Sequence, residues 1–187
     1  MRHGEAEHNV AFHAHGESVF RDTKYRDAPL TEKGIEQARE AAKALSKFDI
    51  IDIWTSPLTR CIQTAEEVFE ETNPSSIILH DNLLECLGGG HVCNERREKS
   101  ELKKLYPSKD MKFLPTLPQY WSERENGYSV RQRMYMMIML LADIYSDLSH
   151  DKYILIVSHS TAIDCLIGKC LKNAEYVVLT LDEINKS

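Results

Sequence analysis

The stretch YILIVSHS, residues 153–160, decides the fold. Its first five residues are apolar or aromatic without a polar break, and the run then ends abruptly at Ser158. Such an uninterrupted apolar run that ends abruptly in polar residues is typical of a buried strand. The residues from about Thr161 to Leu171 favour a helix, so this part of the chain predicts a buried strand followed by a helix.

The same alternation continues through the rest of the chain. Apolar spacing predicts an amphipathic helix over 30–48 with Thr31 as its N-cap, and IIDIWTS, residues 50–56, is typical of a short buried strand. Ser56 and Pro57 are expected to be the N-cap and first position of the next helix. Further elements are expected at 75–85 (strand), 94–106 (charged helix), 128–149 (long helix) and 176–181 (strand), with a GGGH turn at 88–91 and an irregular stretch at 107–123.

Strands that alternate with helices predict a layered α/β fold with a mostly parallel sheet. In such sheets ligands bind outside the carboxyl ends of the strands. The residues that follow the strands are therefore the candidates for function: Arg2-His3-Gly4, Thr55-Ser56-Pro57 and Ser158-His159-Ser160.

Composition narrows the class of protein. The 187 residues, of which 42% are hydrophobic, suit one globular domain, and the net charge of −6 argues against a nucleic-acid partner. The five cysteines form no CxxC pair, which favours free thiols in a reducing compartment. The chain has no apolar run long enough to cross a membrane, so we expect a cytoplasmic protein without a membrane partner.

Five segments in sequence carry a resemblance to a known family: RHGEAEHN, PLTEKGIEQA, TSPLTRCIQTA, LLE and VSHS. Together they resemble the histidine phosphatase superfamily, which includes phosphoglycerate mutase, and LLECLGGGHVCNERREKSELKKLYP is similar to its plant and fungal members. The resemblance implies a three-layer α/β/α sandwich of the phosphoglycerate mutase type. It implies one histidine phosphatase domain over 1–187, with an insertion at about 88–126 covering the active site.

The resemblance also implies catalytic roles that suit the side chains. His3 is the expected nucleophile, because a neutral imidazole is available at neutral pH and can form a phosphohistidine. Glu85 would protonate the leaving oxygen and then activate water. The transferring phosphoryl group spreads negative charge over three oxygens, so cationic forks suit its binding. The expected phosphoryl-binding residues are Arg2, Arg60 and His159.

A second set is expected to bind the substrate around this centre. Asn9 and Ser56 match positions that line the family's phosphate pocket, and Gly4 would let the chain turn tightly against the bound group. Ser160 stands where glycine often follows the second histidine in this family.

For Arg96 and Arg97 two readings stay open. They belong either to a solvated helix face beside glutamates three and four residues away, or to a site for an anion on the leaving group. His91, on the glycine-rich turn, could also face the pocket.

No metal or other cofactor is expected. His8, His13 and His15 crowd the beginning of the chain, but their spacing matches no metal-ligand motif. We expect these three histidines to lie in an exposed loop that borders the pocket. The methionine-rich stretch MYMMIML is expected to pack in the core.

The family has a full strand before RHG, whereas only Met1 precedes Arg2 here. Since a strand usually needs about five or six residues, the first strand is expected to be shortened.

The expected function is hydrolysis of a small soluble phosphomonoester through a phosphohistidine. The alternatives are phosphoryl transfer of the mutase type and a catalytically weak member that binds a phosphorylated ligand. The modest insertion favours hydrolysis, because it should leave the phosphohistidine open to water. The long apolar helix is either buried in a monomer or shared in a homodimer.

Overall fold

A parallel three-stranded sheet lies at the centre of the computed structural model, which describes residues 1–118 and 125–186. The predicted insertion at 88–126 and irregular stretch at 107–123 both include residues 119–124, which lie outside the described residues. The strands are β1 (Asp49–Thr55), β2 (Ser76–Leu79) and β3 (Lys152–Val157). The helices are α1 (Glu7–His15), α2 (Glu32–Leu45), α3 (Thr59–Thr72), α4 (Lys99–Leu105), α5 (Gly127–Ile144), α6 (Ser160–Ile167) and α7 (Leu181–Asn185).

The strand order is β2-β1-β3, and both pairings are parallel. Ile53 of β1 lies opposite Ile77 of β2 and Leu155 of β3. These three side chains belong to the apolar cluster that also contains Leu45 of α2 and Ile62 of α3. One face of the sheet is therefore covered by α2 and α3.

The next residues along the strands pack on the opposite face. Trp54, which is 1% exposed, and Ile78 join an apolar cluster with Met134 and Ile138 of α5 and Leu166 of α6. Burying side chains of this size stabilises a fold by about 1.5–3 kcal/mol each. With helices on both faces, the structure confirms the predicted three-layer α/β/α sandwich.

Helix α2 begins as predicted, because the Thr31 Oγ1 accepts a hydrogen bond from the Gly34 N–H at 3.0 Å. The predicted beginning of α3 is wrong: this helix begins at Thr59, not at Pro57. Asp27, rather than Ser56, binds its first turn, accepting hydrogen bonds from the Thr59 N–H and hydroxyl at 2.7 Å each.

Helix α4 is shorter than the charged helix predicted over 94–106, since it begins only at Lys99. Residues Val92–Asn94 form a 3₁₀ turn, and the side chains of Asn94 and Arg96 point inward. Buried polar side chains need hydrogen-bond partners within the protein. The non-helical turn before α4 points Asn94 and Arg96 inward, where they find such partners.

The first three residues lie beside the carboxyl end of β3. The Met1 amine donates to the Ile156 carbonyl at 2.9 Å, the Ser158 N–H donates to the Met1 carbonyl at 3.0 Å, and the His3 N–H donates to the Ser158 carbonyl at 3.1 Å. Only a single bridge, between Arg2 and Ser158, is formed there. Residues 1–3 therefore pair with the end of β3 without forming a strand of their own.

The predicted last strand at 176–181 is wrong. In the described part of the chain this segment forms no ladder, although it is rich in β-branched residues. A strand needs a neighbour, and the short segment Met1–His3 reaches only as far as the Arg2 N–H to Glu175 carbonyl hydrogen bond. An apolar cavity of about 160 Å³ separates Ile154 and Ile156 of β3 from Val177.

The methionine-rich stretch of α5 is only half buried, so the prediction that it packs wholly in the core is wrong. Met134 and Met137 are buried, whereas Met136 is 65% and Met139 is 50% exposed. Among the described residues, no helix is both long enough and apolar enough to cross a membrane.

The chain beyond His3 crosses α2 at a point of very close approach. A Cβ atom at Gly4 would overlap the Gly34 carbonyl, and one at Gly34 would overlap the Glu5 carbonyl. Gly4 therefore serves backbone packing between the segment that carries His3 and helix α2.

Substitution Gly34→Ala is expected to destabilise the fold by at least about 1–3 kcal/mol, because backbone must move to admit the methyl group. Gly127→Ala is the matched control: its Cβ would lie 3.6 Å from the Cys165 Sγ, an ordinary contact. Urea unfolding measures both variants. Equal stability of the two would contradict this account of the crossing.

Candidate active site

The predicted catalytic residues meet at the carboxyl end of the sheet. A cavity of about 360 Å³ lies there, and its lining includes Arg2, His3, Arg60 and Glu85. His3 follows the short segment beside β3, Arg60 lies in the first turn of α3, and Glu85 follows β2 and a 3₁₀ turn. The parallel sheet brings these residues together because its strands all end at this edge.

The His3 ring is 2% exposed, and its Nδ1 lies 2.6 Å from the Gly4 carbonyl oxygen. A carbonyl only accepts hydrogen bonds, so Nδ1 carries the proton and Nε2 keeps its lone pair. Burial, reinforced by the Arg60 guanidinium, holds the pKa of His3 well below its ordinary value. The imidazole is therefore neutral at pH 7 and has a nucleophilic nitrogen.

His159 lies against His3 rather than in the cavity lining. The two ring centroids are 5.1 Å apart with the rings edge to face, and His159 is fully buried. Its Nε2 is 2.8 Å from the Ser56 Oγ and 3.4 Å from the Cys61 Sγ. In this position His159 supports His3, while its expected contact with the phosphoryl group stays a prediction.

His8 contributes a donor that the sequence analysis missed. The Asn9 Oδ1 accepts a hydrogen bond from the Ala6 N–H at 3.0 Å, which orients the amide so that its Nδ2 donates to the His8 Nε2 at 3.2 Å. The proton of the neutral His8 ring is then on Nδ1. This nitrogen is buried and has no hydrogen-bond partner among the described residues.

Two guanidinium groups add further donors of this kind. Arg60, which is 1% exposed, donates to the Cys93 carbonyl at 2.9 Å and to the Asn94 Oδ1 at 3.1 Å. Arg2 donates to the Leu171 carbonyl at 2.8 Å. The Nε of each arginine is buried without a hydrogen-bond partner among the described residues. Buried donors without partners cost free energy, and an anion beside His3 would satisfy them.

Glu85 is held at the beginning of α6. One carboxylate oxygen accepts from the Cys86 N–H at 2.8 Å and the Ala162 N–H at 3.2 Å, and the other accepts from the Thr161 N–H at 3.2 Å. These three backbone donors fix the carboxylate in the cavity lining.

Arg133 of α5 holds the loop that carries Glu85. It donates to the carbonyls of Asn82, Leu84 and Glu85 at 2.9, 2.7 and 3.0 Å and forms a two-pronged ion pair with Glu125 at 2.8 and 2.9 Å. The sequence analysis missed both residues of this pair. An arginine on a long helix is ordinarily solvent-exposed, so no local pattern indicates that the Arg133 side chain is largely covered and paired.

Arg96 and Arg97 lie outside the cavity lining. The Arg96 side chain is fully buried, forms an ion pair with Asp81 at 2.7 Å, and donates to three backbone carbonyls. Arg97 is paired with Asp27 at 3.0 Å. These partners leave neither guanidinium directed at a substrate, and we assign neither a substrate contact.

The other expected binding residues occupy different positions. Asn9 and Ser160 line the cavity, whereas Ser56 lies behind it with its hydroxyl on His159. Gly4 lies outside the lining, and its N–H donates to the Thr64 Oγ1 at 3.1 Å.

The early histidines do not form the exposed loop that we expected. They lie on helix α1, where His8 is buried, whereas His13 and His15 are exposed and His13 borders the cavity, as expected. Within residues 1–118 and 125–186, no three His, Cys, Asp or Glu side chains are grouped so that they could hold a metal ion.

Acidification below about pH 6.5 is expected to destabilise the fold. Burial lowers the pKa of His8 to about 2 and those of His3 and His159 well below the ordinary value. Each group stays neutral in the folded protein while the unfolded chain takes up a proton, so stability falls as the pH falls.

Urea unfolding at about pH 8 and about pH 5.5 measures this dependence. His8→Gln should reduce the loss of stability between these pH values by about 1 kcal/mol, whereas the exposed control His15→Gln should leave it unchanged. An identical pH dependence in wild type and His8→Gln would contradict the assignment.

Substitution Arg133→Met should destabilise the fold by about 3–5 kcal/mol, because it leaves the buried Glu125 carboxylate without its partner. Arg131→Met on the same helix is the control, since Arg131 is exposed and makes one 3.4 Å contact with the Cys165 carbonyl. If the unfolding free energies of Arg133→Met and Arg131→Met lie within about 0.5 kcal/mol of each other, Arg133 does not support the Glu85 loop as proposed.

Comparison with known proteins agrees with this geometry. The family model described as "Histidine phosphatase superfamily (branch 1)" matches residues 1–176. A probable phosphoglycerate mutase of Arthroderma benhamiae is 28% identical over 89% of this chain and 56% of its own length. The probable phosphatase C1620.13 of Schizosaccharomyces pombe is 26% identical over 97% of this chain and 64% of its own length.

The chain thus spans less than two thirds of either fungal relative. Phosphoglycerate mutase from Bacillus anthracis has a similar fold, with a TM-score of 0.59 and 22% identity over 89% of this chain and 75% of that one. The family model matches nearly the whole chain, and the sheet places the motif residues at one edge. The chain therefore belongs to the histidine phosphatase superfamily.

Proposed function

We propose that this protein is a phosphatase that hydrolyses small phosphomonoesters through a phosphohistidine on His3. The observation that carries the proposal is the state of His3, whose Nδ1 is bound to the Gly4 carbonyl while the neutral ring lies beside Arg2 and Arg60. A fixed neutral nucleophile next to two guanidinium groups suits attack on a bound phosphoryl group.

In the first step Arg2 and Arg60 bind the phosphoryl oxygens through their unpartnered N–H groups. The lone pair of His3 Nε2 attacks phosphorus, so that a P–N bond forms and the P–O bond to the leaving group breaks. Glu85 gives its proton to the leaving oxygen, and the alcohol departs. His8, through Nδ1–H, supplies an additional donor to the same group.

In the second step a water molecule attacks phosphorus. The Glu85 carboxylate takes a proton from this water as the P–O bond forms and the P–N bond breaks. Inorganic phosphate leaves, His3 regains its neutral ring, and Glu85 is again protonated for the next turnover. Every group that takes part in these two steps belongs to a side chain of this protein, to the substrate or to water.

Two other functions of the same site are distinguishable from hydrolysis. Transfer to a second hydroxyl is suggested by the name of the Arthroderma benhamiae relative, and phosphate-ligand binding without turnover is the third option. The proposed setting is the cytoplasm, where the five free cysteine thiols would stay reduced.

Substitution His3→Gln should lower release of phosphate from p-nitrophenyl phosphate by at least about a thousand-fold, since it removes the nucleophile. The assay is run with EDTA, and the exposed His15→Gln variant on the same N-terminal segment is the matched control. Equal activity of the two variants would refute the role of His3. If the phosphoryl group is transferred to an added alcohol instead of being released as inorganic phosphate, the result would favour phosphoryl transfer of the mutase type.

Glu85→Gln should slow formation of the phosphoenzyme from ethyl phosphate by about 10²–10⁴-fold, because the ethoxide needs a proton to leave. Formation from p-nitrophenyl phosphate should change much less, since p-nitrophenolate leaves without one. Rapid-quench kinetics measures the first turnover for each ester, with the exposed Glu17→Gln variant as control. The same loss for both esters would contradict the acid role of Glu85.

A further inference from the structure

Aromatic side chains form part of the lining of the cavity that contains His3. Phe12 of α1 and Phe20 of the following 3₁₀ turn stack with ring centroids 5.0 Å apart and an angle of 8° between the rings. The Phe20 ring also lies 5.1 Å from the ring of His91. These three residues line the cavity together, and we call them the aromatic rim.

Phe12 is 37% exposed to solvent although it forms part of this stacked pair. A partly exposed aromatic ring in the lining of a cavity offers apolar surface on which a ligand ring can stack. Because the aromatic rim lines the same cavity as His3, a group attached to the bound phosphoryl group lies within the same enclosure as these rings.

The charges of the cavity lining also bear on the kind of leaving group that the site can bind. Arg2 and Arg60 are the lysine or arginine side chains found among the described lining residues, and both are engaged beside His3. Arg96 and Arg97 are paired with Asp81 and Asp27. A carboxylate on the leaving group would therefore meet no further guanidinium or ammonium group in the described lining.

The volume allows a ring in addition to the phosphoryl group. An apolar cavity of about 150 Å³ is enough to hold benzene. The cavity here is about 360 Å³, so one six-membered ring fits beside the phosphoryl group near His3.

We infer that the leaving group of the substrate is an uncharged, planar aromatic alcohol whose ring stacks on the Phe12–Phe20 pair. This inference rests on the proposed phosphatase function and names the class of ester that the same site prefers. Phe12 and Phe20 are then specificity-determining residues, which bind the leaving group and take no part in the chemistry at phosphorus.

Three esters of primary alcohols test the inference with similarly basic leaving oxygens: benzyl phosphate, cyclohexylmethyl phosphate and, as the phosphorylated hydroxy acid, 3-phosphoglycerate. Benzyl phosphate should exceed cyclohexylmethyl phosphate in kcat/KM by about 3- to 10-fold, which corresponds to the gain from aromatic stacking. The phosphorylated hydroxy acid should be the poorest of the three substrates.

The variants Phe12→Leu and Phe20→Leu keep an apolar side chain but remove the ring. Each should bring the ratio of benzyl to cyclohexylmethyl phosphate close to one. Phe113→Leu is the matched control, because Phe113 is also 37% exposed but packs against Trp54 and His80 away from the cavity. It should keep the wild-type ratio.

Hydrolysis of all three esters at similar kcat/KM would overturn the inference while leaving the phosphatase function intact. A preference for the hydroxy acid, or an aromatic preference that survives in either Phe12→Leu or Phe20→Leu, would do the same. If no ester is hydrolysed and no phosphate label appears on His3, the proposed function fails and the inference fails with it.

Discussion

The hydrogen bonds between the first three residues and the end of β3 are the constraint on which the site depends. Ser158 bonds to the backbone of both Met1 and His3, and the His3 carbonyl accepts from the Ala174 N–H at 3.1 Å and the Asn173 Nδ2 at 3.2 Å. The backbone of His3 is thereby fixed from two sides. The contact of its ring with His159 follows, because His159 comes directly after Ser158.

A second layer of side chains holds the groups around His3. Asn94 binds the Arg60 guanidinium and donates to the Cys86 carbonyl at 3.0 Å, while Arg133 binds the carbonyl of Glu85. Such support fixes the positions of catalytic groups more closely than the residues in the cavity could alone. Burial has a further effect: it keeps the imidazoles neutral and leaves the arginine donors available to an anion.

Sequence patterns predicted the features that depend on local or periodic rules, such as the parallel sheet from the alternation of strands and helices and the Thr31 cap of α2. The strand-end rule placed His3 at the edge where the structure has its cavity, and the family resemblance added Arg60 and Glu85, which line the same cavity. Sequence patterns failed where a distant partner decides the outcome. Residues 176–181 form no strand because no full neighbour pairs with them, and the burial of Arg96 depends on Asp81 and on carbonyls more than fifteen residues away.

The most direct test of the account is to determine which nitrogen carries phosphate in the phosphoenzyme. Wild-type protein is quenched during turnover of an isotopically labelled phosphomonoester, and the phosphohistidine isomer and its position in the chain are identified. Because Nδ1 of His3 is bound to the Gly4 carbonyl, the account predicts phosphate on Nε2 of His3 and on no other residue. Phosphate on Nδ1, on another side chain, or on none while hydrolysis proceeds would contradict it.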